Sequence, residues 1–390
     1  MKANPGGQID LKSVIGRSGV IQLIWETLEQ QSIVITAERR IGKTTVIKKL
    51  KAEPVAGWVP VFQDLEKCHT TREFALAVYK EVHHFLSGKG KAARRAKEFL
   101  AALGGTDIGG FLTLPEKAEA GWKDILTRSI EDLIHENDAH GDRLLFLWDE
   151  VPFMLANIRD REGEQTAMEV LDVLRGLRQT HPALRMIITG SVGLHHVLTS
   201  LKDKNYANSP VNDMARIEVT PLDPDDAAEL AGQLINGEAL LSTDKAVAAA
   251  VIADEADRFP FYIHHIVRAL KIKGLAAEPE TIAGVVAAQL IDSNNPWELL
   301  HYRERIPIYY GEDEKAVIAI LDELAVAKET ASVGDLLAML KASSPFDDRE
   351  RLLKLLSLME RDHYLLRDTD GSFGFRFPLI RRWWKINRGL

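Results

Sequence analysis

The stretch "SIVITAERRIGKTTVIKKL", residues 32–50, decides the fold. SIVIT is a short run of strand-forming apolar residues, TVIKKL carries helical spacing, and AERRIGKT joins them. A loop between a buried strand and a helix can wrap an anion in main-chain N–H groups, and the helix start adds a favourable field. The phosphate-loop pattern G-x-x-x-x-G-K-[ST] is met at Gly42, Lys43 and Thr44, while Ala37 stands at the first glycine position. One added methyl is tolerated at a strand exit where a bulky or β-branched group would obstruct the turn. Gly42 falls where a side chain would collide with bound phosphate. Lys43 is placed to reach the β and γ oxygens, and the Thr44 hydroxyl to ligate Mg²⁺.

Three further apolar runs follow, WVPVF (58–62), RLLFLW (143–148) and LRMIIT (184–189), each bracketed by segments of helical period. Short, fully apolar strands separated by helices predict a parallel sheet covered on both faces, so the first half is α/β. RLLFLWDE sets Asp149 and Glu150 at a strand's carboxyl end, where open α/β sheets bind ligands. Asp149 is the candidate to hold Mg²⁺ through water, and Glu150 to orient or deprotonate an attacking water. Outside such a context two acids would more often form a surface ion pair. MIITGS ends in Thr189, Gly190 and Ser191, whose hydroxyls could sense a γ-phosphate, although Thr-Gly-Ser is also ordinary turn chemistry.

Beyond residue 205 strand signals fade, and PDDAAELAGQLI, TDKAVAAAVIADEA and PFYIHHIVRALKIK read as helices with Asp and Pro near their starts. Towards the C-terminus EKAVIAILDELAV, SVGDLLAMLKA and DRERLLKLLSLMERD read as three more helices. HYLLR and FGFRF then flank the turn DTDGS as a hairpin. Three helices plus a hairpin is the winged-helix pattern. The expected division is a P-loop domain over 1–205, a helical lid over 206–308 and a winged helix over 309–390. GKGKAARRAK (88–97) and the poorly patterned GGTDIGGFLTLPEKAEAG after it read as an inserted loop.

Composition narrows the function. At 390 residues and 46% hydrophobic content the chain can bury substantial cores. A net charge of −8 argues against wholesale coating of nucleic acid, which needs clustered Lys and Arg. The single cysteine, Cys68, rules out an intramolecular disulfide framework and fits a reducing cytosol. The start MKANPGGQIDLK lacks a secretory h-region, and the longest apolar runs are too short to cross a bilayer, so a soluble cytoplasmic protein without membrane partners is expected. The His-His pairs at 83/84, 195/196 and 264/265 lack the spacing of a metal site.

Taken together, VIGR (14–17), RRIGKT, WDEVPFML, ITGS, PLDPDDAAEL and FPFYIHHIVRAL resemble the archaeal-type P-loop ATPases, close to the STAND signalling ATPases and the origin-recognition branch of AAA+ proteins. The resemblance implies that Gly16 and Arg17 lie near the adenine end of the nucleotide and that Pro260 faces it from the lid. With Ala37, Arg39, Arg40, Ile41, Gly42, Lys43, Thr44 and Thr45 of the loop these complete the expected nucleotide-binding set. Glu150, Lys43 and Ser191 are the expected catalytic residues, and Thr44 and Asp149 the metal ligands. The family often carries glycine two residues before the proline, where this chain has Arg258.

The expected activity is ATP- and Mg²⁺-dependent hydrolysis that switches domain packing. Two other readings stay open, an ATP-regulated DNA-binding protein and a signalling or defence scaffold with negligible turnover. For the first, Arg349, Arg351 and Lys354 on the third helix and Arg376, Arg381, Arg382, Lys385 and Arg388 in the tail are candidate double-stranded DNA contacts. A protein partner or a homo-oligomer is the competing use of the wing.

Overall fold

RLLFLW is apolar on both faces, and the chain places it inside a sheet rather than on one. The protein is seen here in a computed structural model, which describes residues 1–7, 10–86, 106–108, 111–113, 121–138, 141–190, 193–202, 209–343 and 346–390. It forms two units, residues 19–36 with 43–219, and residues 1–18, 37–42 and 220–390.

The first unit holds a five-stranded parallel sheet. Its strands are β1 (Ile33–Thr36), β2 (Trp58–Asp64), β5 (Arg143–Asp149), β6 (Leu184–Ile188) and β7 (Ala215–Glu218), in the order β2-β5-β6-β1-β7. A separate antiparallel pair, β3 (Thr106–Ile108) and β4 (Phe111–Thr113), falls within the stretch that patterning alone read as loop. The basic segment 88–97 lies outside the described residues. Leu144 to Asp149 are all buried, and each Leu or Phe so enclosed contributes ~1.5–3 kcal/mol. Truncating Phe146 to alanine would cost roughly 3–5 kcal/mol. Pro60 is tolerated because β2 is an edge strand, where a missing N–H breaks no ladder. At the other edge, β7 escaped sequence reading because ARIE has one buried side chain in four.

Helices Thr71–Leu86, Trp122–Asp138 and Glu164–Thr180 supply apolar stripes to this core: Phe74, Val78 and Val82; Leu126, Ile130 and Leu133; Leu171 and Leu174. The spacing of three and four residues keeps each stripe on one helix face. Arg178 is buried there, and its charge is met by Asp213 at 2.9 Å and by the Pro210 carbonyl at 2.8 Å.

In the second unit four helices, Pro224–Gly237, Lys245–Glu255, Pro260–Lys273 and Pro279–Leu290, follow one another with proline in the first turn of three. Proline suits that position because its missing N–H has no helical partner to lose. The fourth start, at Lys245, is capped by Asp244, whose carboxylate accepts from the N–H groups of Ala246 and Val247. His264 is buried and its Nδ1 accepts from the Asn4 N–H at 3.1 Å.

The same unit continues through His301–Tyr310 to the helices Glu314–Val326, Val333–Ser343 and Arg349–Arg361. An antiparallel hairpin of β8 (Leu365–Arg367) and β9 (Phe373–Phe375) follows, closed at Asp368–Gly371, and then the helix Pro378–Arg388. Gly371 has φ +87, a conformation that favours glycine. Ala331 adds an isolated bridge to Phe373. Trp383 and Trp384 are buried, and the Trp384 indole donates to Asp322 at 2.8 Å, so they anchor this core. No helix among the described residues is long and apolar enough to cross a membrane.

Candidate nucleotide-binding site

β1 ends at Thr36, and the helix Lys43–Ala52 begins at the lysine of the Gly-Lys-Thr run, so the strand–loop–helix order read from the sequence holds. Ala37 does not adopt a positive φ, so its methyl causes no backbone strain at the position where glycine is usual. The left-handed loop positions are instead Arg40 (φ 65) and Gly42 (φ 104). Among the described residues no atom lies within 4 Å of where a Cβ on Gly42 would stand, so the space beside the loop is open.

The metal and catalytic candidates of the sheet unit converge. Lys43 is only 7% exposed and Asp149 only 5%. The Thr44 hydroxyl donates to Asp149 Oδ2 at 2.8 Å, and Asp149 Oδ1 accepts from the Glu150 N–H at 3.1 Å. Burial raises the Asp149 pKa and nearby Asp64 adds to the rise, while the Thr44 hydroxyl, the Glu150 amide and Lys43 oppose it. A buried carboxylate under that bias gains from a cation.

Glu150 has φ 59 and ψ 29, a left-handed turn immediately before the helix Val151–Glu162. Such backbone costs on the order of 1–3 kcal/mol at a non-glycine residue and persists where surrounding contacts impose it. Here the Val151 N–H bonds to the Thr189 carbonyl and the Thr189 N–H to the Trp148 carbonyl, pinning the ends of β5 and β6 together. A Cβ on Gly190 would lie 2.6 Å from Pro152 and 3.4 Å from Glu150 Oε2. The small residue after β6 therefore lets the acidic turn approach. The Thr189 side-chain oxygen is buried with no hydrogen-bond partner among the described residues. Ser191 lies outside the described residues.

Thr45 follows Thr44 in the helix Lys43–Ala52 of the sheet unit, and the remaining candidates belong to the second unit. Arg17 is buried, and its guanidinium donates to the Ile41 carbonyl at 2.7 Å and to the Thr220 carbonyl at 2.8 Å. Burial lowers its pKa to about 10, with Asp226 and Asp223 opposing the fall. Because a trans peptide points its carbonyl and the next N–H in opposite directions, fixing the Ile41 carbonyl also aims the Gly42 amide away from Arg17. Gly16 has φ +69, and a Cβ there would stand 2.8 Å from Asp226 and Leu222, so only glycine fits. Pro260 opens its helix after Arg258, which has φ 60. That conformation is one glycine adopts without penalty, which gives a physical reason for the family's glycine at this position.

Arg39 and Arg40 both turn to Glu298. Arg39 donates at 3.0 Å, Arg40 Nε at 2.9 Å, and a second Arg40 nitrogen reaches the other carboxylate oxygen. The Arg40 guanidinium also lies 4.7 Å from the Phe261 ring centre. Glu38, buried, pairs with Arg305 at 3.3 Å and with His301 at 3.8 Å. Burial alone would raise the Glu38 pKa, but Arg305 and then His301 hold it far below the usual carboxylate range. Arg305 in turn donates to the Tyr364 hydroxyl and the Asp362 carbonyl. Sequence reading missed Glu38, Glu298 and Arg305, because charged residues in a polar run carry no periodic signal.

A parallel sheet in which a Gly-Lys-Thr loop leaves one strand, and acids end a second strand with one strand between them, defines a P-loop NTPase fold. Solved structures share it. The Walker-type ATPase of Pyrococcus abyssi matches over 96% of this chain and 97% of its own, with a TM-score of 0.66 at 16% identity. The ORC2 protein of Aeropyrum pernix, solved in ADPNP–ADP complexes, matches over 97% of this chain and 98% of its own, with a TM-score of 0.52 at 11% identity. At these identities the likeness is one of fold. No family model matches the chain, and no curated protein does.

Proposed function

We infer that this chain is an ATP-binding, Mg²⁺-dependent P-loop ATPase of the cytoplasm in which nucleotide state controls the arrangement of a core, a helical lid and a winged helix, expected over 1–205, 206–308 and 309–390, with β7 (Ala215–Glu218) joined to the sheet of the core. One observation carries the reading: the Thr44 hydroxyl meets buried Asp149 at 2.8 Å, while the loop before it keeps open space at Gly42.

Main-chain amides of 37–44 and the Lys43 ammonium bind the phosphates, with Gly16, Arg17 and Pro260 assigned to the base end. The donor set of Thr44 and Asp149 is hard oxygen chemistry that suits Mg²⁺. Bound there, the ion would supply charge neutralisation for the β and γ oxygens. Glu150 takes the proton of the attacking water, and the orphaned Thr189 hydroxyl offers a donor to a phosphate oxygen. The products are ADP and phosphate.

The test is phosphate release by wild type and Glu150→Gln at equal ATP occupancy. A loss of about a hundredfold or more is expected, and equal rates with ATP still bound would place the protein among nucleotide-binding scaffolds. The DNA-binding alternative is weakened by internal pairing of its cations: Arg351 with Asp313, Arg382 with Glu255 and Arg388 with Asp322. It keeps exposed Arg349 and Lys354, and salt-dependent retention of double-stranded DNA on a filter would revive it.

A further inference from the structure

The charged residues of the loop ahead of Gly42, namely Glu38, Arg39 and Arg40, find their counter-charges on one short stretch, Glu298 to Arg305. The two contacts differ in kind. Glu38 and Arg305 form a buried pair, fixed further by the Tyr364 hydroxyl and the Asp362 carbonyl. Glu298 is half-buried, and its two guanidinium partners are 43% and 32% exposed in their side chains, so this contact can open without unpacking a core.

Both halves of the second contact sit in costly backbone. Arg40 has φ 65 and Glu298 has φ 55, the left-handed region that non-glycine residues rarely adopt. The Glu298 turn is held by its N–H on the Asn295 carbonyl at 2.9 Å and by its own carbonyl against His301 Nδ1 at 2.7 Å. A planar carboxylate is thus presented to two guanidinium groups of a loop whose neighbouring residues carry the phosphate-binding pattern, and guanidinium forks pair with carboxylate and phosphate alike.

We propose that Glu298 is a built-in counter-anion that competes with the phosphates of a bound nucleotide for Arg39 and Arg40, and so sets the affinity of the loop. The proposal rests on the nucleotide-binding reading given above. Binding ATP exchanges one carboxylate for the more highly charged phosphate chain, and the protein with Glu298 engaged is the weaker-binding form. Apparent affinity falls by the fraction of molecules in which the competent form is lacking.

The experiment measures ATP affinity by calorimetry for wild type, Glu298→Gln, Arg39→Ala/Arg40→Ala and the triple variant, with Lys43→Ala alongside. Glutamine keeps the side-chain shape, and Glu298→Asp serves as a second, milder change. Glu298→Gln is expected to bind ATP about tenfold more tightly, with a steeper salt dependence, and Glu298→Asp to shift the same way by less. The gain should vanish in the Arg39→Ala/Arg40→Ala background. A purely architectural Glu298 would give weaker binding on substitution, and that outcome, or an unchanged affinity, overturns the proposal while Lys43→Ala still weakens binding. If Lys43→Ala binds ATP as wild type does, the nucleotide-site reading itself fails and this inference falls with it.

Discussion

Thr44 and Asp149 are 105 positions apart in the chain and 2.8 Å apart in space, joined by a hydrogen bond from a helix's first turn to the last residue of a strand. Asp149→Asn keeps the size and one acceptor oxygen but removes the charge that a divalent cation needs. The Mg²⁺ concentration for half-maximal ATP hydrolysis should rise by about tenfold or more, the order expected from losing one charged ligand contact. A titration that superimposes on wild type would remove Asp149 from the metal site.

Lys43 is buried at the start of its helix, where its positive charge runs against the helix field and is retained for a reason other than helix stability. Lys43→Ala should weaken ATP binding by about a hundredfold, equivalent to ~3 kcal/mol for a charged hydrogen-bonding group. Equilibrium binding of a fluorescent ATP analogue, competed with ATP, checks this.

Gly16 tests the backbone rather than the chemistry. Alanine there meets two obstacles, a positive φ and contacts at 2.8 Å with Asp226 and Leu222. Gly16→Ala should destabilise the protein by ~2–3 kcal/mol in urea unfolding, with the slope unchanged. Gly19, in the helix Ser18–Leu28 with open space where a Cβ would stand, is the control, and its alanine variant should unfold no more easily than wild type.

Asp257 gives a pH signature. Burial raises its pKa to about 6, although its carboxylate accepts from the Leu379 N–H at 2.7 Å. The native state therefore binds more protons than the unfolded chain between about pH 4 and 6. This group's contribution to stability grows as pH falls through that window and is lost as pH rises through 6. Asp257→Asn should gain ~1–2 kcal/mol over wild type at pH 7.5, and the gain should disappear near pH 4. His264 and His265, each lowered to about 4 by burial, pull the other way as acid is added. Comparing variant with wild type at each pH cancels them.

Much of this architecture was legible because it depends on local patterns. RLLFLWDE declares a buried strand ending in acids by its unbroken apolar run, and DTDGS between HYLLR and FGFRF declares a hairpin by its turn chemistry. Gly42, Lys43 and Thr44 were named from spacing and Asp149 from its place at a strand end, and the sheet does bring Thr44 to Asp149. What stayed hidden depends on pairing across long separations. No feature near Arg17 announces that it would grip the Ile41 carbonyl, and nothing in WELLHYRER marks Glu298 and Arg305 as partners of the loop. β7 was missed because an edge strand with one side exposed has too little apolar content to stand out.

The position of β6 has a mechanical corollary. By lying between β1 and β5 it holds the exits of those strands two ladder spacings apart, ~10 Å. A gap that wide is beyond the grasp of facing strand-end side chains, so a hydroxyl from the helix has to reach across to the acid. The middle strand works as a caliper, and its jaw width sets the span that the Thr44 hydroxyl has to cover to meet Asp149.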